Sequence, residues 1–367
     1  MDSKLYLDIG IDGLNTATFP SEVPTDEENP SPDETFYMQD APIRRILAGG
    51  SVLEDRSTRS LHHFYDPING GRGLSLEIWG LSIPIGTPSP DWILEESAAG
   101  MELDFRDQAF SYRDTLTYFY QGLTESQQTV RDNRFGLMFR GLGHVIHHLQ
   151  DMAQPQHVRN EQHCEKAINI LCTVADNPSH FEKYTDLFRN TIIPATGTYP
   201  APLFPIARNF WKNKMSSGLA EFTQHNFVSQ GSNFELDSLG RFSGNRRYPH
   251  PVPFLDQQAA SRDLQSVLLE ANIDQGEINQ IMQGLDCDRP LECVIDFIAS
   301  NVTEVDGNII ANDRAASFSL LDDELRRRDL RKGITPTYNR LNFHVAYPHL
   351  IPRAVAYSAG LINHFFR

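Results

Sequence analysis

Six side chains of the kinds that bind metal ions lie on one short stretch of the chain. In the run GLGHVIHHLQDMAQPQHVRNEQH they are His144, His147, His148, Asp151, His157 and His163. His147 and Asp151 are four residues apart, so on a helix they share one face, one turn apart. Imidazole and carboxylate in that arrangement suit Zn²⁺. Pro155 predicts that the helix ends or kinks there, and the turn would bring His157 back as a further ligand.

The composition limits the kinds of partner this chain can have. It has 367 residues, 40% hydrophobic and 22% charged, which are globular values, and its net charge is −16. A protein that binds duplex nucleic acid by neutralising phosphates is expected to be basic, so we expect no duplex DNA or RNA partner. An acidic enzyme can still hydrolyse a phosphate ester when metal ions supply the local positive charge.

The hydrophobic pattern predicts a mainly α fold, a single-domain helical bundle with long loops and at most a minor β-hairpin. Residues 1–34 are predicted to be an N-terminal coil, and residues 35–367 the helical domain. One helix is expected to begin near Pro42 and end at Gly49–Gly50. A longer one is expected to open with a capping box at Thr124 and Gln127. Asp306–Gly307 is a weak hairpin signal.

Two further groups of acidic residues and histidines flank the first stretch. Upstream, the run GGSVLEDRSTRSLHHFYDPINGG contains Glu54, Asp55, His62, His63 and Asp66. Downstream, SHFEKYTD contains His180, Glu182 and Asp186. Taken alone, both groups are ambiguous, because adjacent acids are usually solvated and an acidic pair at helical spacing is usually an exposed stripe.

The three groups together resemble a known superfamily of metal hydrolases. HFYDP begins at His63, His147 and Asp151 follow in His-x-x-x-Asp spacing, His157 comes six residues after the aspartate, and Glu182 lies on the next predicted helix. In this order they are similar to the zinc-dependent phospholipases C of bacteria and the related fungal zinc single-strand nucleases. The similarity is closer to a bacterial phospholipase C-like subgroup.

The resemblance implies a role for each matching residue. The ligands implied for one zinc ion are Asp55, His63, His147 and Asp151. Those implied for a second ion are His157, Glu182 and His163, with His180 as the alternative to His163. Asp55 is also the implied catalytic residue, because a carboxylate at the edge of a metal site can orient the attacking water or take its proton.

The chain departs from the family pattern at two places. The phospholipases have a histidine four residues before the glutamate, where this chain has Pro178. The family's third zinc ion uses the N-terminal amine and a nearby histidine, whereas no histidine precedes His62 here. The resemblance therefore implies two zinc ions and leaves a third open.

The four cysteines fall in two close pairs and favour an exported protein with two local disulfides. The predicted pairings are Cys164 with Cys172 and Cys287 with Cys293. Four free buried thiols are the alternative, since sequence alone does not fix the connectivity. No stretch of eighteen apolar residues occurs, and no signal peptide is visible at Met1. A secreted or periplasmic location therefore assumes a signal peptide that has been removed.

The resemblance implies a phosphodiesterase of the phospholipase C type, which would release diacylglycerol and a phosphorylated head group during transient contact with a membrane surface. Phe64 and Tyr65 would then either meet the lipid or pack in the core. A single-strand nuclease or nucleotidase is the first alternative and would need stacking platforms, for which the candidates are Trp79, Trp92 and Trp211. A non-catalytic binding protein stabilised by zinc is the second alternative.

Overall fold

The computed structural model describes residues 16–26, 34–78, 81–96, 108–161, 181–182, 184–185, 199–236, 238, 241–254, 260–271, 273–284, 294–317, 336 and 338–367. Within them the helices are, in chain order, α1 (Ile43–Glu54), α2 (Ser89–Leu94), α3 (Tyr112–Thr124), α4 (Gln128–Gln150), α5 (Pro155–Val158), α6 (Leu219–Asn226), α7 (Leu264–Glu270), α8 (Gln275–Gly284) and α9 (Arg340–Phe365). Short 3₁₀ turns span Ser57–His62, Asp151–Ala153 and Ala207–Phe210.

The strands form small antiparallel sheets beside the helices. They are β1 (Thr18–Pro24), β2 (Phe36–Pro42), β3 (Ser75–Ile78), β4 (Leu81–Pro84), β5 (Glu235–Leu236), β6 (Phe242–Ser243), β7 (Ala260–Asp263), β8 (Val294–Thr303) and β9 (Ile309–Ser317). Three sheets are two-stranded pairs of consecutive strands, and β7, β8 and β9 form a three-stranded sheet in that order.

This strand content corrects two predictions from the sequence. The helical component is confirmed, but a bundle with at most a minor hairpin is wrong, because the fold mixes helices with several sheets. The predicted coil over residues 1–34 is also wrong at Thr18–Pro24, which pairs with β2 along its whole length. Isolated strand pairs carry weak sequence signals, because much of their stability comes from the helices they pack against. The hairpin at Asp306–Gly307 is confirmed, with Thr303 opposite Ile309.

The helices α1 and α4 cross at glycines. A Cβ atom added to Gly50 would overlap the carbonyl oxygen of Arg140, and one added to Gly143 would overlap that of Leu47. The prediction that α1 ends at Gly49–Gly50 is therefore wrong, and the helix continues to Glu54. These glycines allow close contact between two helices rather than ending one of them.

The boundary between α3 and α4 also differs from the prediction. Thr124 is the last residue of α3, where its hydroxyl donates to the carbonyl of Tyr120 at 2.9 Å, and α4 is capped at Gln127 without a side-chain hydrogen bond. The capping box that forms is at the start of α3, where Ser111 accepts from the Asp114 amide at 3.0 Å. No helix among the described residues is both long enough and apolar enough to cross a membrane.

Candidate metal centre

The ends of α1 and α4 bring four ligand-type side chains together. Asp55 caps the C-terminus of α1, and the 3₁₀ turn that follows delivers His63, whose amide donates to Ser60. His147 lies in the last turn of α4, and Asp151 caps that helix. The close crossing of α1 and α4 therefore places the two helix ends side by side.

Five separations among the four ligand atoms are close to those between ligands around one tetrahedral zinc ion. His63 Nδ1 lies 3.6 Å from Asp55 Oδ1 and 3.2 Å from Asp151 Oδ2. His147 Nε2 lies 3.2 Å from the same Asp55 oxygen and 3.4 Å from the same Asp151 oxygen. The two imidazole nitrogens are 3.4 Å apart. Zinc bonds of about 2.0–2.1 Å in a tetrahedron give ligand-to-ligand distances of roughly 3.3–3.4 Å.

These distances distinguish a metal site from a set of ion pairs. Charged hydrogen bonds between imidazolium and carboxylate are about 2.7–2.9 Å long, shorter than the separations seen here. The Oδ2 atom of Asp151 is buried, and no described residue donates a hydrogen bond to it. A buried carboxylate oxygen surrounded by imidazole nitrogens at these distances fits a cation bound between them.

A second and looser group shares Asp151. One ligand atom each from Asp151, His157 and Glu182 lies within 4.8 Å of the other two. The long helix α4 ends before Pro155, as the sequence predicted, and His157 sits on the short helix α5, which begins at Pro155 and was not predicted. Its Nδ1 lies 3.6 Å from Asp151 Oδ2, and its Nε2 lies 3.7 Å from Glu182 Oε1. Only one of these nitrogens can face a single ion, so among the described residues this group offers three protein ligands.

Contacts behind the ligands hold them in place. The hydroxyl of Ser51 on α1 lies 3.4 Å from Nδ1 of His147, which leaves Nε2 of that ring for the ligand cluster. The carbonyl of His157 accepts from the amide of Tyr65 at 3.0 Å, which ties α5 to the segment after His63.

The pKa shifts of the candidate ligands follow from their burial and from the charges of their neighbours. Burial lowers the pKa of His63 well below its usual value. Burial also lowers the pKa of His147, but the carboxylates of Asp151 and Asp55 outweigh it and hold that pKa well above its usual value. The pKa of Asp151 would be raised by burial, yet the surrounding imidazoles, first of all His147, keep it well below its usual value. Asp151 therefore stays ionised, as a metal ligand must.

A third group lies behind the first and was not predicted as a site. Glu54 is fully buried, and its carboxylate accepts from His144 Nδ1 at 2.5 Å and from His148 Nε2 at 2.8 Å. Arg59 donates to it at 2.9 and 2.7 Å, and Trp92 Nε1 lies 3.4 Å away. A Glu54 oxygen also falls within 4.8 Å of nitrogens of His63 and His148. Because the Arg59 guanidinium already neutralises this carboxylate, we do not count Glu54, His144 and His148 among the metal ligands.

Several residues singled out from the sequence have other roles. Asp66 turns away from the ligands and accepts from Tyr248 at 2.9 Å and Gln224 at 2.6 Å, so it fixes the loop after His63. Phe64 and Tyr65 are buried core residues. His62 stacks on Trp92, with ring centroids 3.8 Å apart.

Other predicted residues cannot be placed. His163, His180, Asp186, Trp79 and all four cysteines, Cys164, Cys172, Cys287 and Cys293, lie outside the described residues. The third ligand of the second group and the two predicted disulfides therefore stay predictions.

Comparisons with known proteins found no relative of this chain. Scans against family models, curated proteins and solved structures gave no match to this chain. The metal-binding potential of the site therefore rests on its own geometry: buried histidines and carboxylates that can hold a metal ion.

Proposed function

We propose that this protein is a zinc-dependent phosphoric ester hydrolase of the phospholipase C type. The observation that carries the proposal is that His63 and His147 each lie 3.2–3.6 Å from carboxylate oxygens of both Asp55 and Asp151. The ligand chemistry supports zinc, because two imidazoles and two carboxylates are borderline ligands that Zn²⁺ accepts. The second group of Asp151, His157 and Glu182 supports a neighbouring ion.

The residues of the site suggest which part of the reaction each group would carry out. Bound zinc would act as a Lewis acid that polarises the phosphoryl group and stabilises its developing charge. The side chain of Asp55 is 39% exposed, whereas His63 beside it is 1% exposed, so Asp55 forms the edge that faces solvent. A carboxylate there can orient a water molecule for attack on phosphorus and accept its proton. The buried ligands keep the geometry fixed.

The two rivals differ in what they require of the structure. A nuclease of this kind would stack bases on aromatic rings, but Trp92 and Trp211 are 4% and 0% exposed and belong to the core. This observation favours a lipid over a single-stranded nucleic acid as substrate. A purely structural zinc site would be closed by four protein ligands, whereas the described residues give the second group three, which favours catalysis.

The test combines metal analysis with a choice of substrates. Purified protein is loaded with zinc, and its zinc content is measured by elemental analysis alongside hydrolysis of phosphatidylcholine in mixed micelles, single-stranded DNA and a nucleoside monophosphate. We expect about two zinc ions per chain and the release of diacylglycerol and phosphocholine from phosphatidylcholine. Zinc without hydrolysis of any substrate would support the binding protein, and DNA cleavage alone would support the nuclease.

A matched pair of variants separates loss of the site from loss of the fold. His147→Ala removes a ligand and is expected to lower both zinc content and activity, the latter by about a thousandfold, since the metal supplies several kcal/mol of transition-state stabilisation. His349→Ala removes a helical histidine of similar exposure, 17% against 13%, that belongs to neither candidate group. It is expected to keep zinc and activity. Full zinc content in His147→Ala would contradict the assignment.

A further inference from the structure

The group of Glu54, His144, His148 and Arg59 adjoins the candidate metal ligands. Asp55 follows Glu54 directly in the chain, and His148 follows His147, so two network residues are covalently adjacent to a ligand. The rings of His63 and His148 meet edge to face, with centroids 5.0 Å apart. The network therefore contacts three of the four proposed ligands of the first ion, through the chain or through ring packing.

The network also extends into the core as a chain of hydrogen bonds. His148 donates to Glu54 through Nε2, and its Nδ1 accepts from the Ser89 hydroxyl at 3.0 Å. Ser89 Oγ in turn accepts from Trp211 Nε1 at 3.3 Å. Ser89, His148, Trp211 and Glu54 are all fully buried. Buried hydrogen-bonded chains of this kind hold their members in one orientation.

His63 has one ring nitrogen left to satisfy. Its Nδ1 faces Asp55, Asp151 and His147, so a cation bound there leaves the ring proton on Nε2. That Nε2 atom is buried, and no described residue forms a hydrogen bond with it. A Glu54 oxygen and a His148 nitrogen lie within 4.8 Å of a His63 nitrogen, and an ionised carboxylate there can only accept a proton.

We propose that Glu54 is a positioning residue for the metal centre: its buried carboxylate stabilises the Nε2-protonated tautomer of His63 and holds Asp55 at the helix end. The inference rests on the proposed metal site and adds to it a residue that is not itself a ligand. Histidine ligands commonly have such carboxylate partners, and their loss typically weakens metal binding by about 10–100-fold. Arg59 and His144 then serve to keep this carboxylate ionised where it is buried.

Two variants distinguish positioning from a general effect on folding. Glu54→Gln removes the carboxylate charge, whereas Arg59→Gln removes its ion-pair partner and leaves the carboxylate in place. Both are expected to unfold at lower urea concentration than the wild type. Zinc affinity, measured by competition with a chromogenic chelator, is expected to fall about 10–100-fold in Glu54→Gln and by less than about threefold in Arg59→Gln. Equal losses in the two variants would overturn the inference.

A control carboxylate lies elsewhere in the fold. Glu304 is 13% exposed, forms an ion pair with Arg353, and belongs to neither candidate metal group. Glu304→Gln is expected to lower stability without changing zinc affinity. If the wild type binds no zinc, the proposed function itself is overturned. If the wild type and Glu54→Gln bind zinc equally tightly, only the role of Glu54 is overturned.

The wild-type protein gives a second readout that does not depend on any variant folding. In zinc-loaded protein labelled with ¹⁵N, the long-range proton–nitrogen correlations of each imidazole show which nitrogen carries the proton. We expect His63 to be protonated at Nε2, with a proton protected from exchange with solvent. A His63 ring protonated at Nδ1, or an Nε2 proton that exchanges as fast as that of an exposed histidine, would overturn the inference.

Discussion

At the scale of residues, burial keeps some histidines of the site, such as His63 and His144, neutral, while neighbouring imidazoles keep its carboxylates charged. His144 illustrates the first case, because burial lowers its pKa to about 4 despite its bond to Glu54. Asp151 illustrates the second, because its imidazole neighbours hold its pKa well below the usual value. A bound cation requires the ionised carboxylate, and the hydrogen bonds around Glu54 form with the neutral imidazole.

The lowered pKa of His144 predicts that the metal-free protein is less stable in weak acid. The unfolded chain takes up a proton near pH 6.5, whereas the folded chain does so only near pH 4. Stability from this residue is therefore complete above about pH 6.5 and is lost as pH falls toward 4. Linkage gives a loss of about 2 kcal/mol between pH 7 and pH 5.

Urea unfolding in the presence of EDTA at pH 5, 6 and 7 measures this loss. His144→Gln removes the titrating ring, so the variant is expected to be less stable at pH 7 but to show a smaller change in unfolding free energy with pH. An unchanged pH dependence in His144→Gln would assign the acid sensitivity to other groups.

At the scale of elements, the crossing of α1 and α4 determines where the ligands meet. Asp55 and His147 belong to the C-terminal ends of these two helices, and Gly50 and Gly143 allow the helices to approach closely. Any substitution that separates the helices also separates the ligand atoms, although it lies away from them in sequence.

Gly50→Ala is therefore expected to impair both stability and metal binding. The added methyl group would overlap the backbone carbonyl of Arg140, which cannot move without shifting α4. Such overpacking costs about 1–3 kcal/mol, and we expect zinc affinity to fall with it. Urea unfolding and chelator competition measure the two effects.

Gly276 provides the control, because it is also a helical glycine, but an added Cβ would meet only the carboxylate of Asp274, a side chain that is free to shift. Gly276→Ala is expected to change stability by less than about 1 kcal/mol, with the gain in helix propensity offsetting any adjustment. Similar effects in the two variants would show that the α1–α4 crossing is not the cause.

At the scale of the whole molecule, the metal centre links segments that are far apart in the chain. It joins the end of α1, the turn before His63, the end of α4 and the helix α5. A chain with a net charge of −16 also repels itself, and a divalent cation bound among its carboxylates reduces that repulsion locally. Metal binding is therefore expected to stabilise the fold as well as the site.

Zinc is accordingly expected to raise the free energy of unfolding by about 2.7 kcal/mol when free zinc is a hundred times its dissociation constant. Thermal unfolding with zinc, with EDTA and with magnesium tests this expectation. Magnesium prefers six oxygen ligands and is expected to have little effect at the same concentration. His147→Ala should lose most of the zinc effect, and an equal rise in that variant would indicate binding elsewhere.

The sequence by itself was enough to predict one half of the metal centre. His147, Asp151 and His157 are close in the chain, and the helical period and Pro155 together fix how they are arranged. Local signals also gave the Asp306–Gly307 hairpin. They failed at Gly49–Gly50, where glycines that resemble a helix end lie inside α1, with Gly49 against β1 and Gly50 against α4.

Only the tertiary structure decided how the other half meets the first. Glu54 bonds to His144, which is 90 positions away in sequence, and His63 meets His147, which is 84 positions away. No local periodicity specifies such contacts, because they depend on how two helices cross and on which buried polar groups find partners. The sequence therefore determined which residues are able to bind a metal, and packing determined that Asp55 lies with the other candidate ligands while Glu54, its neighbour, is buried behind them.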